Sequence, residues 1–176
     1  MSRIIGGAGR GRRLKTAAGD ATRPTGARVR QSLFDILAPR ITDCRFLDAF
    51  AGSGGVGLEA LSRGAARVVL VDQSAAAVEA ARENARVLVH AGGEVQVFRQ
   101  EARTALAALA DAGRQFDVVY LDPPYASDLY EPLLELAGEP RDAAHDPDRR
   151  RIELRALAPP LLEDLIDAVA LGSHGS

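Results

Sequence analysis

The sequence predicts an α/β fold, a parallel sheet with helices on both faces, and three observations carry that prediction. From Phe46 onward, short apolar runs alternate with stretches of helical periodicity. The first run, Phe46 to Phe50, enters a turn crowded with Gly52, Gly54, Gly55 and Gly57 that opens into the helix formers Leu58-Glu59-Ala60-Leu61. Acids stand at the ends of successive runs, at Asp48, Asp72, Glu101 and Asp122. Strands joined by helical segments of this length form right-handed crossovers in a parallel sheet. Such a sheet binds ligands beyond the carboxyl ends of its strands, where these acids fall.

The elements follow in order. Arg3 to Gly7 and Arg13 to Thr16 are β-compatible segments around a Gly/Arg-rich stretch, which predicts a small hairpin. After a loop over Ala18 to Gly26, a helix opens at Thr25 or Gly26, carries Val29, Leu33, Phe34, Ile36 and Leu37 mostly on one face, and is expected to stop at Pro39. Strands are then predicted over Phe46–Phe50, Arg67–Val71, Glu94–Phe98 and Phe116–Leu121, the last apolar throughout except for Asp117. The helices between them span Gly55–Arg63, Ser74–His90, with Ser74 as its cap, and Arg103–Ala112. This divides the chain into a basic extension over 1–40, an α/β core over 41–137 and a last segment over 138–176. In that segment Gly138–Arg151 reads as a charged loop, Ile152–Leu157 as its one strand-like run and Leu161–Leu171 as a helix. It is too short for three further strands, so the sheet is expected to be truncated or divergent at that end.

Composition narrows the function classes. The 176 residues are 47% hydrophobic but only 5% aromatic, so Ala, Val and Leu must build the core and each Phe or Tyr becomes informative. Cys44 is the single cysteine, and His90, His145 and His174 are scattered, which leaves no internal disulfide, no metal-ligand spacing and no nucleophile–histidine pattern. No apolar run approaches a membrane span and the N-terminus lacks a signal-peptide core, so a soluble cytoplasmic protein without metal or membrane is expected. The net charge of −2 is unevenly placed: residues 1–30 carry +7 and the remainder −9. A basic arm on an acidic body suits a polyanion, because each neutralised phosphate releases counterions; the plainer alternative is a solvated tail.

Two motifs carry the chemistry. Gly52, Gly54 and Gly57 fit the dinucleotide pattern GxGxxG, with Asp72 where a ribose-binding acid is expected. Asp48-x-Phe50-x-Gly52-x-Gly54 also resembles the first motif of S-adenosylmethionine-dependent methyltransferases. After the fourth strand stands Asp122-Pro123-Pro124-Tyr125. As structure alone it is a stiff proline loop with a turn acid. As chemistry, a carboxylate, proline carbonyls and an aromatic ring suit an exocyclic amino group on a planar base, each acceptor taking one N–H while the ring stacks. The loop resembles the (Asp/Asn/Ser)-Pro-Pro-(Tyr/Phe) motif of the amino-methyltransferases at all four positions. A nicotinamide enzyme has no use for it, which favours S-adenosylmethionine over a dinucleotide.

Four ordered blocks carry a narrower likeness: Arg3-Ile4-Ile5-Gly6-Gly7, Gly11-Arg12, Thr22-Arg23-Pro24-Thr25-x-x-Arg28-Val29-Arg30-x-x-Leu33-Phe34, and Gly57-Leu58-Glu59-Ala60-Leu61-Ser62-Arg63-Gly64-Ala65. Together they resemble the RsmD family of bacterial small-subunit ribosomal RNA guanine methyltransferases, from Arg3 to about Ala137. The resemblance implies a Rossmann-like class I fold, S-adenosyl-L-methionine as cofactor, and methyl transfer to the exocyclic amine of one guanine in 16S rRNA within an assembled small subunit. It implies that Asp48, Gly52 and Gly54 make the methionine-end and turn contacts, with Phe50 also binding the cofactor, that Asp72 takes the ribose hydroxyls and that Glu101-Ala102 lies near the adenine. Asp122, Pro123, Pro124 and Tyr125 would then receive the target base. On the arm, Arg10, Arg12 and Arg13 are expected to meet RNA phosphates, and Arg23, Thr25 and Arg28 to help close the site. Readings left open are a DNA adenine or cytosine, or a protein glutamine amide, as substrate, and a catalytically silent RNA-binding relative.

Overall fold

The structure is a computed structural model that describes residues 2–16, 26–88 and 92–123. Strands β1 (Ser2–Arg3) and β2 (Arg13–Leu14) pair antiparallel, Ser2 opposite Leu14, as the expected hairpin. Helix α1 (Ala27–Ile41) precedes the alternating core of β3 (Arg45–Asp48), α2 (Gly57–Ser62), β4 (Arg67–Asp72), α3 (Ala75–Val87), β5 (Glu94–Arg99), α4 (Ala102–Asp111) and β6 (Val118–Tyr120). The four core strands form one parallel sheet in the order β5-β4-β3-β6. The segment predicted over 138–176 and the loop over 17–25 lie outside the described residues.

Strand periodicity sorts the side chains into two layers. Phe46, Val68, Leu70, Val118 and Tyr120 face the layer made by the arm, α1, α2 and α3. Leu47, Val69, Val71, Val119 and Leu121 alternate with them and face Ala102, Ala105 and Leu106 of α4. Asp117, the polar interruption before β6, has a structural task. Its carboxylate accepts from Arg45 N at 2.8 Å, Nε at 3.0 Å and Nη2 at 2.9 Å, while its own N–H donates to Arg45 O. That exchange fixes the register of β6 on β3; burial opposes ionisation of Asp117, but the Arg45 hydrogen bonds outweigh it and hold the carboxyl below its usual range.

Pro39 does not stop α1, contrary to expectation: the helix runs on to Ile41. A proline in the last turn forfeits one hydrogen bond, to the carbonyl of Asp35. Burial of Leu37 and Ile41 holds that turn, and the extended Thr42 ends it.

The arm is folded onto the body, which overturns the solvated-tail alternative for residues 2–16. Ile4 and Leu14 are buried in the core. The N–H groups of Ile5 and Gly6 each donate to the Glu59 carboxylate at 2.7 Å, and Arg63 Nε donates to it at 2.8 Å. The Arg63 guanidinium in turn lies 5.0 Å over the Phe34 ring. Ser62 Oγ accepts from Gly9 N and donates to Gly6 O, and Asn84 of α3 exchanges two hydrogen bonds with the Lys15 backbone. The polar residues of α2, a helix buried on every side, are therefore the socket for the arm. Glu59→Gln keeps the shape but removes the charge shared by three donors, and is expected to destabilise the fold by about 2 kcal/mol. Urea denaturation checks this, and an unchanged midpoint would remove Glu59 from the socket.

Candidate functional site

The glycine turn forms because the chain must leave β3 and enter α2 within eight residues while staying against the sheet. Gly52 and Gly54 adopt φ of +52° and +86°, which a side chain would strain. Gly57, the first residue of α2, is needed for proximity: a Cβ there would sit 2.2 Å from Leu70 Cδ2. The helix thus begins at Gly57, two residues later than the sequence predicts, because Gly52 to Val56 are spent in the turn. Backbone bonds tie the strand ends together, from Ala49 N to Tyr120 O at 3.1 Å and from Ala51 N to Val71 O at 2.9 Å.

The acids read from the sequence converge at one sheet edge. Asp48 is fully buried; its Oδ2 accepts from Gly57 N at 3.0 Å, and its Oδ1 has no hydrogen-bond partner among the described residues. Burial pushes its carboxyl up to about 7, with Asp122 and Asp72 adding repulsion and the Gly57 and Phe50 N–H groups opposing. Asp72 accepts from Gly52 N and from Ser74 N, each at 2.8 Å, so one carboxylate braces the glycine turn and the start of α3. Phe50 is half-buried against the α4 layer. Glu101 caps α4, accepting from the N–H groups of Arg103 and Thr104 and from Thr104 Oγ1, while Ala102 is buried in the core. Asp122 follows β6 half-exposed and accepts from the Tyr120 hydroxyl at 3.3 Å; Pro123 is buried. Pro124 and Tyr125, with Arg23 and Thr25, lie outside the described residues.

Arg10, Arg12 and Arg13 are exposed on the hairpin and Arg28 on the first turn of α1. Sequence reasoning counted Arg30 with this basic arm, but it is buried: Nη1 donates to Ser2 Oγ at 2.7 Å and Nη2 to Arg3 O at 2.9 Å. Burial lowers its pKa, while Glu59 and Tyr120 favour its charge. A signal existed, since Arg30 shares the phase of Leu33, Phe34, Leu37 and Ile41, the buried stripe of α1. Cys44 is buried and its thiol is pushed up to about 12 by that burial, so it is no nucleophile at neutral pH.

In the order β5-β4-β3-β6 the winding of the sheet reverses at β3, so the switch point lies between β3 and β6, where open parallel α/β sheets form their ligand crevice. Asp48 and Asp122 flank it. With an acid-bearing glycine turn on one side and Asp-Pro on the other, this is the Rossmann-like fold of the class I methyltransferases.

Residues 2–141 match the family model described as Conserved hypothetical protein 95, and the chain belongs to that family, the RsmD family. It is 41% identical over 134 residues to Ribosomal RNA small subunit methyltransferase D of Escherichia coli K12, covering 76% of this chain and 65% of that one. The protein of the same name from Haemophilus influenzae is 37% identical over 137 residues, covering 78% of this chain and 70% of that one. Among solved structures, a hypothetical protein of Thermus thermophilus superposes with a TM-score of 0.69 at 40% identity, covering 77% of this chain and 78% of that one. The chain thus spans about two thirds of the length of the Escherichia coli relative.

Proposed function

We propose that this protein is an rRNA methyltransferase that moves a methyl group from S-adenosyl-L-methionine to the exocyclic amine of a guanine in 16S rRNA, on an assembled small subunit in the cytoplasm. The observation that carries the reading is the convergence of Asp48, Asp72 and Asp122 at the β3/β6 crevice, in a chain whose relatives are named for rRNA methylation. The corner fits the cofactor. A buried carboxylate oxygen without a donor among the described residues, Asp48 Oδ1, calls for a cationic group such as the ammonium of the methionine end. Gly52 and Gly54 leave room for close approach, and Asp72, whose oxygens each accept one hydrogen bond among the described residues, would accept from ribose hydroxyls. Glu101 and Ala102 would border the adenine. When bound, the cofactor supplies an electrophilic methyl on its sulfonium.

The chain's own residues would do the rest. A guanine amine is a poor nucleophile because its lone pair is conjugated with the ring. Asp122 and the Pro123 carbonyl, each accepting one N–H, would favour a pyramidal nitrogen with its lone pair aimed at the methyl, while Tyr125 stacks on the base. Catalysis is then orientation and electrostatics without a covalent enzyme intermediate, and the proton leaves late, to Asp122 or water. Radiolabelled methyl transfer offered to undermethylated small subunits, free rRNA and DNA in parallel tests the reading. Transfer to DNA alone, or to nothing while RNA still binds, would replace it with the corresponding alternative.

The folded arm would deliver the RNA. It adjoins the glycine turn, since Asn84 Nδ2 donates to both Lys15 O and Ser53 O at 2.9 Å. Charge reversal at Arg12 and Arg13 is expected to weaken substrate binding about tenfold at low salt and to flatten the salt dependence by about one unit of slope per lost phosphate contact. Binding measured across a salt series checks it; an unchanged slope would take the arm out of recognition.

A further inference from the structure

We propose that the groove between α3 and β5 is a second RNA surface, which grips an unpaired stretch of the substrate strand; this rests on the rRNA reading and extends it beyond the crevice and the arm. The groove has a volume of about 360 Å³. Its floor is apolar, made by Leu61 of α2, Leu88 at the end of α3, and Val95 and Val97 of β5. Its helix-side rim carries Arg82 and Arg86, both exposed and four residues apart on one face of α3.

Charge selects the occupant. Glu83 on α3 is engaged by Lys15 Nζ at 2.6 Å, and Glu94 at the start of β5 by Arg67 Nε at 3.0 Å. Among the described residues neither Arg82 nor Arg86 enters an ion pair, although Glu79 stands only a turn before Arg82. Arg82 Nη2 reaches across the groove to Val97 O, 3.5 Å away, a contact that uses one of its five N–H donors. Two guanidinium groups thus border an apolar floor with their charge uncompensated. Phosphates match the planar fork, and the floor suits a ribose or an unstacked base. A second copy of the chain in a two-fold contact would instead set the same arginines against each other. The groove also lies on the path of the substrate. At one end the turn of the hairpin packs on it, since a Cβ on Gly9 would sit 2.3 Å from Leu88 Cδ2, and the exposed Arg10 and Arg12 flank that turn. At the other end Val97 stands two residues before Arg99, the partner of Asp72 in the parallel register. A strand held here therefore runs from the arm toward the edge that bears the acids.

The double variant Arg82→Gln with Arg86→Gln removes both charges from exposed positions and leaves the floor intact. Its affinity for undermethylated small subunits, measured over a KCl series at fixed Mg²⁺, is expected to fall about tenfold at low salt. The log–log salt slope should flatten by about 1.4 units, the value for two phosphates of a single strand. Cofactor affinity, Tm and the single-turnover rate at saturating subunits should stay unchanged, because neither arginine touches the crevice. The double lysine variant keeps the charge and should keep the slope. Glutamine and wild type with equal affinity and slope would overturn the inference, as would a loss of affinity that tracks a loss of Tm. Self-association of the wild type that the glutamines abolish would make the groove a contact between copies and overturn it too. A wild type that binds no RNA would sink the rRNA reading itself, whereas one that binds and methylates beside an unaffected glutamine variant would sink the groove alone.

Discussion

Asp122→Ala is expected to slow methyl transfer on the order of 1,000-fold while leaving S-adenosylmethionine affinity within about threefold, because it removes both an orienting acceptor and the late proton acceptor. The asymmetry has a structural cause. Asp122 stands on the β6 side of the crevice and Asp48 on the β3 side, and the Asp122 charge disfavours ionisation of Asp48. Deleting Asp122 relieves that repulsion, so Asp48 ionises more readily and a cationic cofactor end meets at least as much negative charge as before. Calorimetric titration of the cofactor alongside single-turnover kinetics reads both quantities in one preparation. Parallel loss of rate and affinity would move Asp122 from the base site to the cofactor site or the fold.

The parts of this molecule legible in its sequence are those specified locally. The alternation of Phe46–Phe50, Gly55–Arg63 and Arg67–Val71 gave β3, α2 and β4 to within two residues, since strand pleat and helix pitch leave periodic marks. The acids at strand ends were legible for the same reason. Glu59 was not: in sequence it is one charge on a short helix, and its partners are backbone N–H groups more than fifty residues away. The block Gly57 to Ala65 could therefore be recognised without its purpose being visible, which is to hold Ile5, Gly6 and Gly9 in place. Arg30 misled in the same way, because composition counts charge and ignores the phase that turns it inward. Glu101 reads as a ligand-side acid from its position, and only geometry shows that both its oxygens already serve the N-terminus of α4.

Asp48 should make both stability and cofactor binding depend on pH, in opposite senses. Its folded carboxyl titrates at about 7, against about 3.9 in an unfolded chain. Between those values the unfolded state has released the proton while the folded state still holds it. The folded state binds more protons there, so stability falls as pH rises from about 4 to about 7 and levels off above, a loss of about 4 kcal/mol from this one group. Asp117 and Glu101, held below their usual range by hydrogen bonds, act the other way at lower pH, so the wild type must be compared with Asp48→Asn. The asparagine never ionises, and it is expected to be the more stable of the two at pH 8 and to match the wild type near pH 4. Cofactor binding should run in the reverse direction, because a cation beside Oδ1 needs the ionised acid. Affinity should climb almost tenfold per unit toward pH 7 and then flatten, with close to one proton released on binding at pH 6, read by calorimetry in buffers of different ionisation enthalpy. Asp48→Asn should bind weakly and without that slope. A wild-type affinity flat from pH 5.5 to 8 would mean that no cation meets Asp48, and the donor corner would have to be sought elsewhere along the sheet edge.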